Sequence, residues 1–272
     1  MIVAVDTGGT KTLIEAFDDD GKKKFLNKFP TPRDQHEYIK RVTQVIAHHT
    51  HPGSVEAIVV ALPGPIKDGV VVRTSNIGWE QFDVRSHLQA RFPSTNIYVG
   101  NDADLAGLAE TRALERKHAP SLSLYVTLST GIGTGVCFNG RLFPSLSRFE
   151  GGSMRLHYDG ELQRWEDFAS GRNFHERYDQ YGRDVDDPEK WQDYAERVSM
   201  GLVALIPLLE PETLIIGGSM GTHFEKYAHF LDEILRDKIP IPMKTLSVTQ
   251  AKHPEEAVVY GCYYYALDEL AR

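Results

Sequence analysis

Hydrophobic and polar positions fall into short blocks along the chain, and the period of the blocks changes from place to place. Three strand patterns come first, at Ile2–Asp6, Thr12–Asp18 and Lys23–Phe29. Asp19-Asp20-Gly21, between the last two, is a hairpin signal. From about Arg33 to His49 the period becomes helical, with Tyr38, Ile39, Val42, Val45 and Ile46 on one face. Val55–Leu62 is short, apolar and ended by Pro63-Gly64-Pro65, which reads as a buried strand. Asp68-Gly69 signals a hairpin before Val70–Val72; Val84–Phe92 reads as a helix and Asn96–Val99 as a strand.

A second unit begins near Ala103, with the boundary placed near residue 105. Helix Ala103–Arg116 leads into strand Ser123–Leu128, and a glycine-rich turn, Thr130–Gly135, joins it to Val136–Phe138. Ser145–Glu166 has no regular period. Helices follow at about Arg172–Tyr181 and Glu189–Leu209, then strand Thr213–Ile216 ending in Gly217-Gly218. A helix near Phe224–Leu235, a strand at Thr245–Thr249 and a last helix near Glu255–Leu270 complete the pattern. Each half opens with a strand–glycine turn–strand hairpin and continues into alternating helices and strands. That predicts an α/β protein with a mixed sheet in each half.

Composition adds limits. The chain has 272 residues, 41% hydrophobic and 25% charged, which fits a globular protein of one large or two modest domains. The net charge of -8 argues against a broad nucleic-acid surface. The two cysteines, Cys137 and Cys262, have no Cys-x-x-Cys spacing, so a reducing cytoplasm is the simple reading. None of the eleven histidines shows His-Glu-x-x-His spacing; His48, His49 and His51 sit near a helix end and read as solvated surface, with a metal-related role as the alternative. The first residues form a strand without a basic leader, so no signal peptide is expected. No stretch approaches the ~18 apolar residues of a membrane span.

Candidate chemistry concentrates at the glycine turns. In Asp6-Thr7-Gly8-Gly9-Thr10-Lys11-Thr12, glycines let backbone amides approach an anion, threonines add hydroxyls and Lys11 adds charge. Asp6, at the end of a buried strand, is placed to hold Mg²⁺ directly or through water. A plain polar turn is the alternative for this one motif. Thr130-Gly131-Ile132-Gly133-Thr134-Gly135 repeats the arrangement. Neither segment is a Walker A loop or a Rossmann fingerprint, since both of those precede a helix. Two such turns could clamp one polyphosphate chain. Gly217-Gly218-Ser219, after a strand and before a helix, suits a nucleotide base or ribose. In Asn101-Asp102-Ala103-Asp104, Asp104 reads as a helix N-cap. Asp102 reads either as a cap or as a carboxylate facing the ligand crevice, where it could take a proton from a hydroxyl. Asn76 and Glu150 lie in irregular segments and suit either a turn or contacts to a polyhydroxylated ligand.

Taken in order, these segments resemble the ROK family (repressors, open reading frames and sugar kinases) over nearly the whole chain. Asp6–Lys11 and Leu128–Gly135 are similar to its two phosphate motifs, and Asn101-Asp102-Ala103 is similar to the segment with its catalytic Asp. Leu62-Pro63-Gly64-Pro65 and Ser75–Trp79 also match; the latter implies a sugar contact at Asn76. Ile215–Ser219 is similar to its nucleotide-binding turn. The resemblance implies an actin-like, ribonuclease-H-like fold in two lobes with a hinged cleft. The small lobe would be residues 1–105 joined by the final helix at about 255–272, and the large lobe 106–254.

This chain departs from the family in two places. The Glu-x-Gly-His motif appears as Glu150-Gly151-Gly152-Ser153, with Ser153 in place of a His that binds zinc and sugar in many members. The cysteine-rich zinc segment is replaced by Glu161–Gly171, in which Glu166 still matches a sugar-contacting Glu. No zinc is therefore expected.

The resemblance implies an ATP·Mg²⁺-dependent kinase. Asp102 would be the catalytic base; Asn76, Asn101, Glu150, Ser153 and Glu166 would bind the sugar. Gly8, Gly9, Thr10, Lys11, Thr130, Gly131, Gly133, Gly217, Gly218 and Ser219 would bind ATP, and Asp6 the metal. Glucose is the default acceptor, with fructose, mannose and N-acetylated amino sugars as alternatives. Polyphosphate is an alternative donor. A cytoplasmic homodimer with no nucleic-acid or membrane partner is implied. A non-catalytic sugar-binding regulator is the rival reading, although a phosphate turn at residue 6 leaves no room for an N-terminal helix-turn-helix module.

Overall fold

The computed structural model describes residues 1–74, 76–114, 120–253 and 256–272. Ser75, the expected helix end Arg116 and the expected helix start Glu255 lie outside the described residues. The chain forms two compact units. One comprises Met1–Ala109, Arg141–Arg148 and Glu256–Arg272; the other comprises Glu110–Gly140 and Phe149–Glu255.

The first unit starts with strands β1 (Ile2–Thr7), β2 (Lys11–Phe17) and β3 (Lys23–Pro30) and helix α1 (Gln35–His49). β4 (Ala57–Leu62), β5 (Ile66–Lys67), β6 (Val70–Arg73), β7 (Glu80–Asp83), α2 (Val84–Gln89), β8 (Asn96–Asn101) and α3 (Asp102–Ala113) follow. The main sheet has the order β3-β2-β1-β4-β8. β1 is antiparallel to β2 and parallel to β4, which is parallel to β8. The sheet is therefore mixed. All six residues of β4 are buried, because helices cover both faces of this inner strand. Val3, Val5, Ile58 and Val60 pack with Tyr38, Val42 and Leu88 on one face. Ile2, Ala4, Ala57, Val59 and Ala61 pack with Leu105, Val259 and Cys262 on the other.

β9 (Leu122–Leu128), β10 (Ile132–Phe138) and the short β11 (Arg141–Leu142) come next. The second unit then adds β12 (Arg155–Tyr158), β13 (Glu161–Arg164), α4 (Trp165–Ala169), α5 (Gly171–Tyr178) and α6 (Pro188–Leu209). β14 (Thr213–Gly217), α7 (Gly218–Gly221), α8 (Phe224–Lys238) and β15 (Ser247–Gln250) complete it; α9 (Ala257–Leu270) belongs to the first unit. β10, β9, β14 and β15 lie side by side in that order, the first pair antiparallel and the others parallel. Among the described residues no helix is long and apolar enough to cross a membrane.

The sequence pattern differs from the structure where a side chain or a register decides an end. Asp34 caps α1 by accepting from the Glu37 amide at 2.8 Å, so the helix starts at Gln35. α2 stops at Gln89, whose amide donates to the carbonyls of Phe92, Pro93 and Thr95. α5 stops at Tyr178, where Asp179 takes a left-handed conformation at φ 50°. The glycine-rich turn is shorter than Thr130–Gly135. β10 begins at Ile132, which pairs with Leu128, so Gly133 lies inside a strand opposite Thr127. The segment without a period contains the hairpin β12–β13, turning at Asp159-Gly160.

α9 crosses α3 at Gly261. A Cβ there would stand 1.8 Å from the Leu105 carbonyl oxygen, a backbone atom that cannot swing away. Gly261→Ala should destabilise the protein by roughly 1–3 kcal/mol or more, read as a lower urea midpoint. An unchanged midpoint would show that the two helices separate freely.

Candidate functional site

In the first unit the register places the chemistry. Asp6 pairs with Ala61 across β1 and β4, and Ala61 pairs with Gly100 across β4 and β8. The carboxyl ends of the three parallel strands are thus level, and Asp102, just past β8, stands at the same end of the sheet as Asp6. The turn from Gly8 to Lys11 is closed by the Gly8 amide on the Lys11 carbonyl at 3.0 Å. Thr31 pins it from the neighbouring strand. Its hydroxyl donates to the Gly8 carbonyl at 2.8 Å, and its amide to the Thr10 carbonyl at 3.1 Å. Thr12 and Thr31 share a hydroxyl contact at 3.0 Å, and Thr7 bonds the buried Tyr38 hydroxyl at 2.7 Å. Among the described residues the Gly9 and Thr10 amides at the tip have no partner.

Asn76 lies directly over this tip: a Cβ on Gly9 would come within 2.9 Å of the Asn76 Cβ. Its loop is held by Arg33, whose guanidinium donates to the Asn76 and Ile77 carbonyls at 2.8 and 2.9 Å. The Trp79 indole donates back to the Arg33 carbonyl at 2.7 Å. The cap of α3 is Asn101, not Asp104 as the sequence suggested. Asn101 Oδ1 accepts from the amides of Ala103 and Asp104 at 2.9 and 3.2 Å, and its Nδ2 donates to the Gly64 carbonyl at 3.1 Å. Asp104 is buried within the first turn instead. Among the described residues the second N–H of Asn101 has no partner.

The two carboxylates are electrostatically coupled. Burial, and then the charge of Asp102, push the Asp6 carboxyl up to about 7 against the opposing pull of Lys11. Burial likewise raises Asp102, opposed by the hydrogen bond from the Ala103 amide. No hydrogen-bond donor among the described residues reaches the Asp6 carboxylate. A half-buried carboxylate with an acidic neighbour and no donor among the described residues fits a divalent cation; Mg²⁺ takes one or two carboxylates and completes its shell with water and phosphate. Among the described residues no three His, Cys, Asp or Glu side chains gather as a metal site. Of the clustered histidines, His49 stacks on Phe25 at 4.6 Å and His48 meets His49 edge-on.

The second unit has its own turn, Ser129 to Gly131, with the Ser129 amide on the Gly131 carbonyl at 3.0 Å. Both its flanks are held from α4 and α5. The Gly171 amide donates to the Ser129 carbonyl at 2.7 Å, and Glu166 Oε2 accepts from the Ile132 amide at 3.4 Å. The other Glu166 oxygen meets Arg164 at 2.8 Å, and Arg164 also forks onto Asp167. A Cβ on Gly131 would lie 2.6 Å from Glu166 Oε2. Thr130 is exposed at the tip. Glu150 and Ser153 are exposed on a 3-10 turn that Thr134 ties to β10, donating to the Phe149 carbonyl and accepting from the Gly151 amide, both at 3.0 Å.

Gly217 ends β14 beside β9, and Gly218 opens α7. Gly218 has φ +78°, and a Cβ on it would lie 2.5 Å from the Leu128 carbonyl oxygen. Ser219 is exposed on α7. Thus Thr130, Gly131, Gly133, Glu166, Gly217 and Gly218 share the β9–β10 end of this sheet. The sequence reading missed the supports: Thr31, Arg33 and Tyr38, which hold Gly8, Asn76 and Thr7 in the first unit, and Arg164, which holds Glu166 in the second. Only Arg164 is near its partner in sequence, as an i,i+3 pair with Asp167.

Residues 2–269 match the family described as "ROK family". An N-acetyl-D-glucosamine kinase from Citrobacter koseri is 24% identical over 306 residues, spanning 99% of this chain and 100% of that protein. An inorganic polyphosphate/ATP-glucomannokinase from Arthrobacter is 26% identical with TM-score 0.72, covering 98% of each chain. A ROK family glucokinase from Streptomyces griseus, solved with glucose and AMPPNP, has TM-score 0.78 at 21% identity, over 96% of this chain and 97% of that one.

The raised Asp6 value sets a pH dependence. Unfolded, this carboxyl titrates near 3.8; folded, it keeps its proton to about 7. The folded state binds the extra proton between those values, so this group's contribution to stability falls as pH rises through them. With a chelator present, Asp6→Asn should gain roughly 1–3 kcal/mol over the parent at pH 8 and almost nothing at pH 4. Urea unfolding at the two pH values measures this, and a pH-independent difference would contradict it.

Proposed function

The chain belongs to the ROK family, and from that premise we propose that it is a sugar kinase moving the γ-phosphoryl group of ATP to a hexose hydroxyl, with glucose as the leading acceptor. The observation that carries the reading is Asp102, a carboxylate fixed at the start of α3 by the cap of Asn101 and raised by burial. A raised carboxylate is a better base toward an alcohol than an exposed one. It would accept the hydroxyl proton as the sugar oxygen forms its bond to the γ-phosphorus. The bond from that phosphorus to the bridging oxygen of the β-phosphate breaks, and ADP leaves.

Such a reaction has a loose transition state, so positioning and charge stabilisation do most of the work. The unpartnered amides of Gly9 and Thr10 and the charge of Lys11 suit phosphate oxygens. Thr130, Gly131 and Gly133 would add backbone and hydroxyl contacts to the phosphates, and Gly217, Gly218 and Ser219 would face the nucleoside. Asn76, the remaining N–H of Asn101, Glu150, Ser153 and Glu166 would hold sugar hydroxyls. Asp6 would hold Mg²⁺, directly or through water; when bound, the ion neutralises phosphate charge. Polyphosphate is the second donor to test, supported by the likeness to the Arthrobacter enzyme.

ADP release should be measured with glucose, fructose, mannose, N-acetylglucosamine and N-acetylmannosamine, and sugar phosphate formation with polyphosphate in place of ATP. Turnover of at least one acceptor is expected; none with either donor would remove the kinase reading for these sugars. Asp102→Asn should lower kcat by ~10²–10⁴ while ATP still binds by calorimetry. Near-normal turnover by that variant would take Asp102 out of the mechanism.

A further inference from the structure

The second unit contains a buried guanidinium that the proposed chemistry does not use. Arg197, on α6, is 2% exposed. All three of its nitrogens are engaged. Nε donates to the Asp193 carbonyl at 3.3 Å. Nη1 donates to the Phe168 carbonyl at 2.8 Å and to Asn173 Oδ1 at 2.5 Å. Nη2 reaches the Tyr178 hydroxyl at 3.3 Å and Asp193 Oδ2 at 3.2 Å. The planar group also lies over the Tyr178 and Tyr194 rings, 5.8 and 5.6 Å from their centroids.

A buried arginine is an expensive way to fill a core. Its one close carboxylate among the described residues, Asp193, is 34% exposed, so ion pairing only partly offsets the desolvation. An apolar side chain of similar volume would often serve stability as well. What it would lack is the fixed fork of donors. That fork grips the end of α4 through Phe168 and the first turn of α5 through Asn173. The grip is returned: the Trp165 indole, on α4, donates to the Arg197 carbonyl at 3.4 Å. Trp165 also lies in the gap left by Gly201, where a Cβ would come 2.1 Å from its ring.

The same two short helices reach the glycine turn. Glu166 on α4 accepts from the Ile132 amide, and Gly171 at the start of α5 donates to the Ser129 carbonyl. Ser170, between them, caps α5 by accepting from the Asn173 amide at 3.3 Å, and Asn173 is the residue that Arg197 holds. The contacts run in series from Arg197 through the α4–α5 junction to both flanks of the turn Ser129–Gly131.

We propose that Arg197 is a positioning residue: its guanidinium fixes α4 and α5 so that Glu166 and the Ser129–Gly131 turn are held in one geometry for the acceptor sugar. This rests on the reading of Glu166 as an acceptor-binding carboxylate. Arg197→Lys keeps the charge and loses the fork. It should fold, as judged by near-ultraviolet circular dichroism, and raise the acceptor KM roughly tenfold or more, with a smaller change in kcat. A purely structural role would lower the unfolding midpoint and leave KM unmoved.

The acceptor in the test is whichever of glucose, fructose, mannose, N-acetylglucosamine and N-acetylmannosamine is turned over. Glu166→Gln should raise the acceptor KM by itself, and the double variant should be little worse than Glu166→Gln alone, because both changes act through one carboxylate. If Glu166→Gln raises KM and Arg197→Lys does not, the positioning role of Arg197 is overturned while the role of Glu166 stands. If Glu166→Gln leaves KM unchanged, the acceptor role of Glu166 falls and this proposal falls with it. Should Arg197→Lys not fold, Asn173→Ala removes one partner of the fork: a raised acceptor KM supports the proposal and an unchanged one overturns it.

Discussion

A half-buried carboxylate near a second one is the constraint around which the site end of the first unit is built. Asp6 is the next-to-last residue of a strand whose other positions are all buried, and the charge of Asp102 adds to the penalty of its partial burial. Desolvation disfavours the charged form of each group, and closeness disfavours charging both. Such an arrangement persists only where the surrounding structure fixes it. Here the fixing is done by the level ends of β1, β4 and β8 and by the cap of Asn101 on α3. The reward is chemical: a carboxylate raised by its surroundings is suited to accept a proton or to meet a cation.

The turns depend on similar support in both units. Neither is rigid by its own short-range bonding, since each has a single backbone bond across it. Each is pinned by groups remote in sequence, and in each a glycine lets a polar side chain lie against the backbone. Thr31 bonds both sides of the first turn, while Asn76 rests on Gly9. Gly171 and Glu166 hold the second, with Glu166 Oε2 resting on Gly131. A turn held this way needs no support from the groups at its own tip.

Much of the fold was legible. Tyr38, Ile39, Val42, Val45 and Ile46 marked α1, and all five are buried. The run Val55–Leu62 marked a strand covered on both faces, and β4 has that burial. What escaped was short and decided by partners. α4 has five residues, too few for a period, and is held by Trp165 against Gly201 on α6. The turn Asp159-Gly160 carried a hairpin signal that its polar, half-exposed flanks obscured. Gly133 looked like part of a turn because glycine is common in turns; pairing with Thr127 made it a strand residue.

For the candidate site, the residue types and their order along the chain were set by the sequence: two glycine turns, an Asp after the first strand and an Asn-Asp pair opening a helix. Local chemistry suffices for these, since glycine content, strand period and capping residues act over a few positions. The tertiary structure decided which groups are already engaged and which remain for a ligand. Asn101 serves as the cap, so most of its amide is occupied, and Glu166 is shared between Arg164 and the Ile132 amide. It also decided the supports, with Arg33 reaching across 43 residues to Asn76 and Arg197 across 29 to Phe168. Hydrogen bonds between residues that far apart leave no period or spacing in the chain, because only the packed backbone brings donor and acceptor to 3 Å.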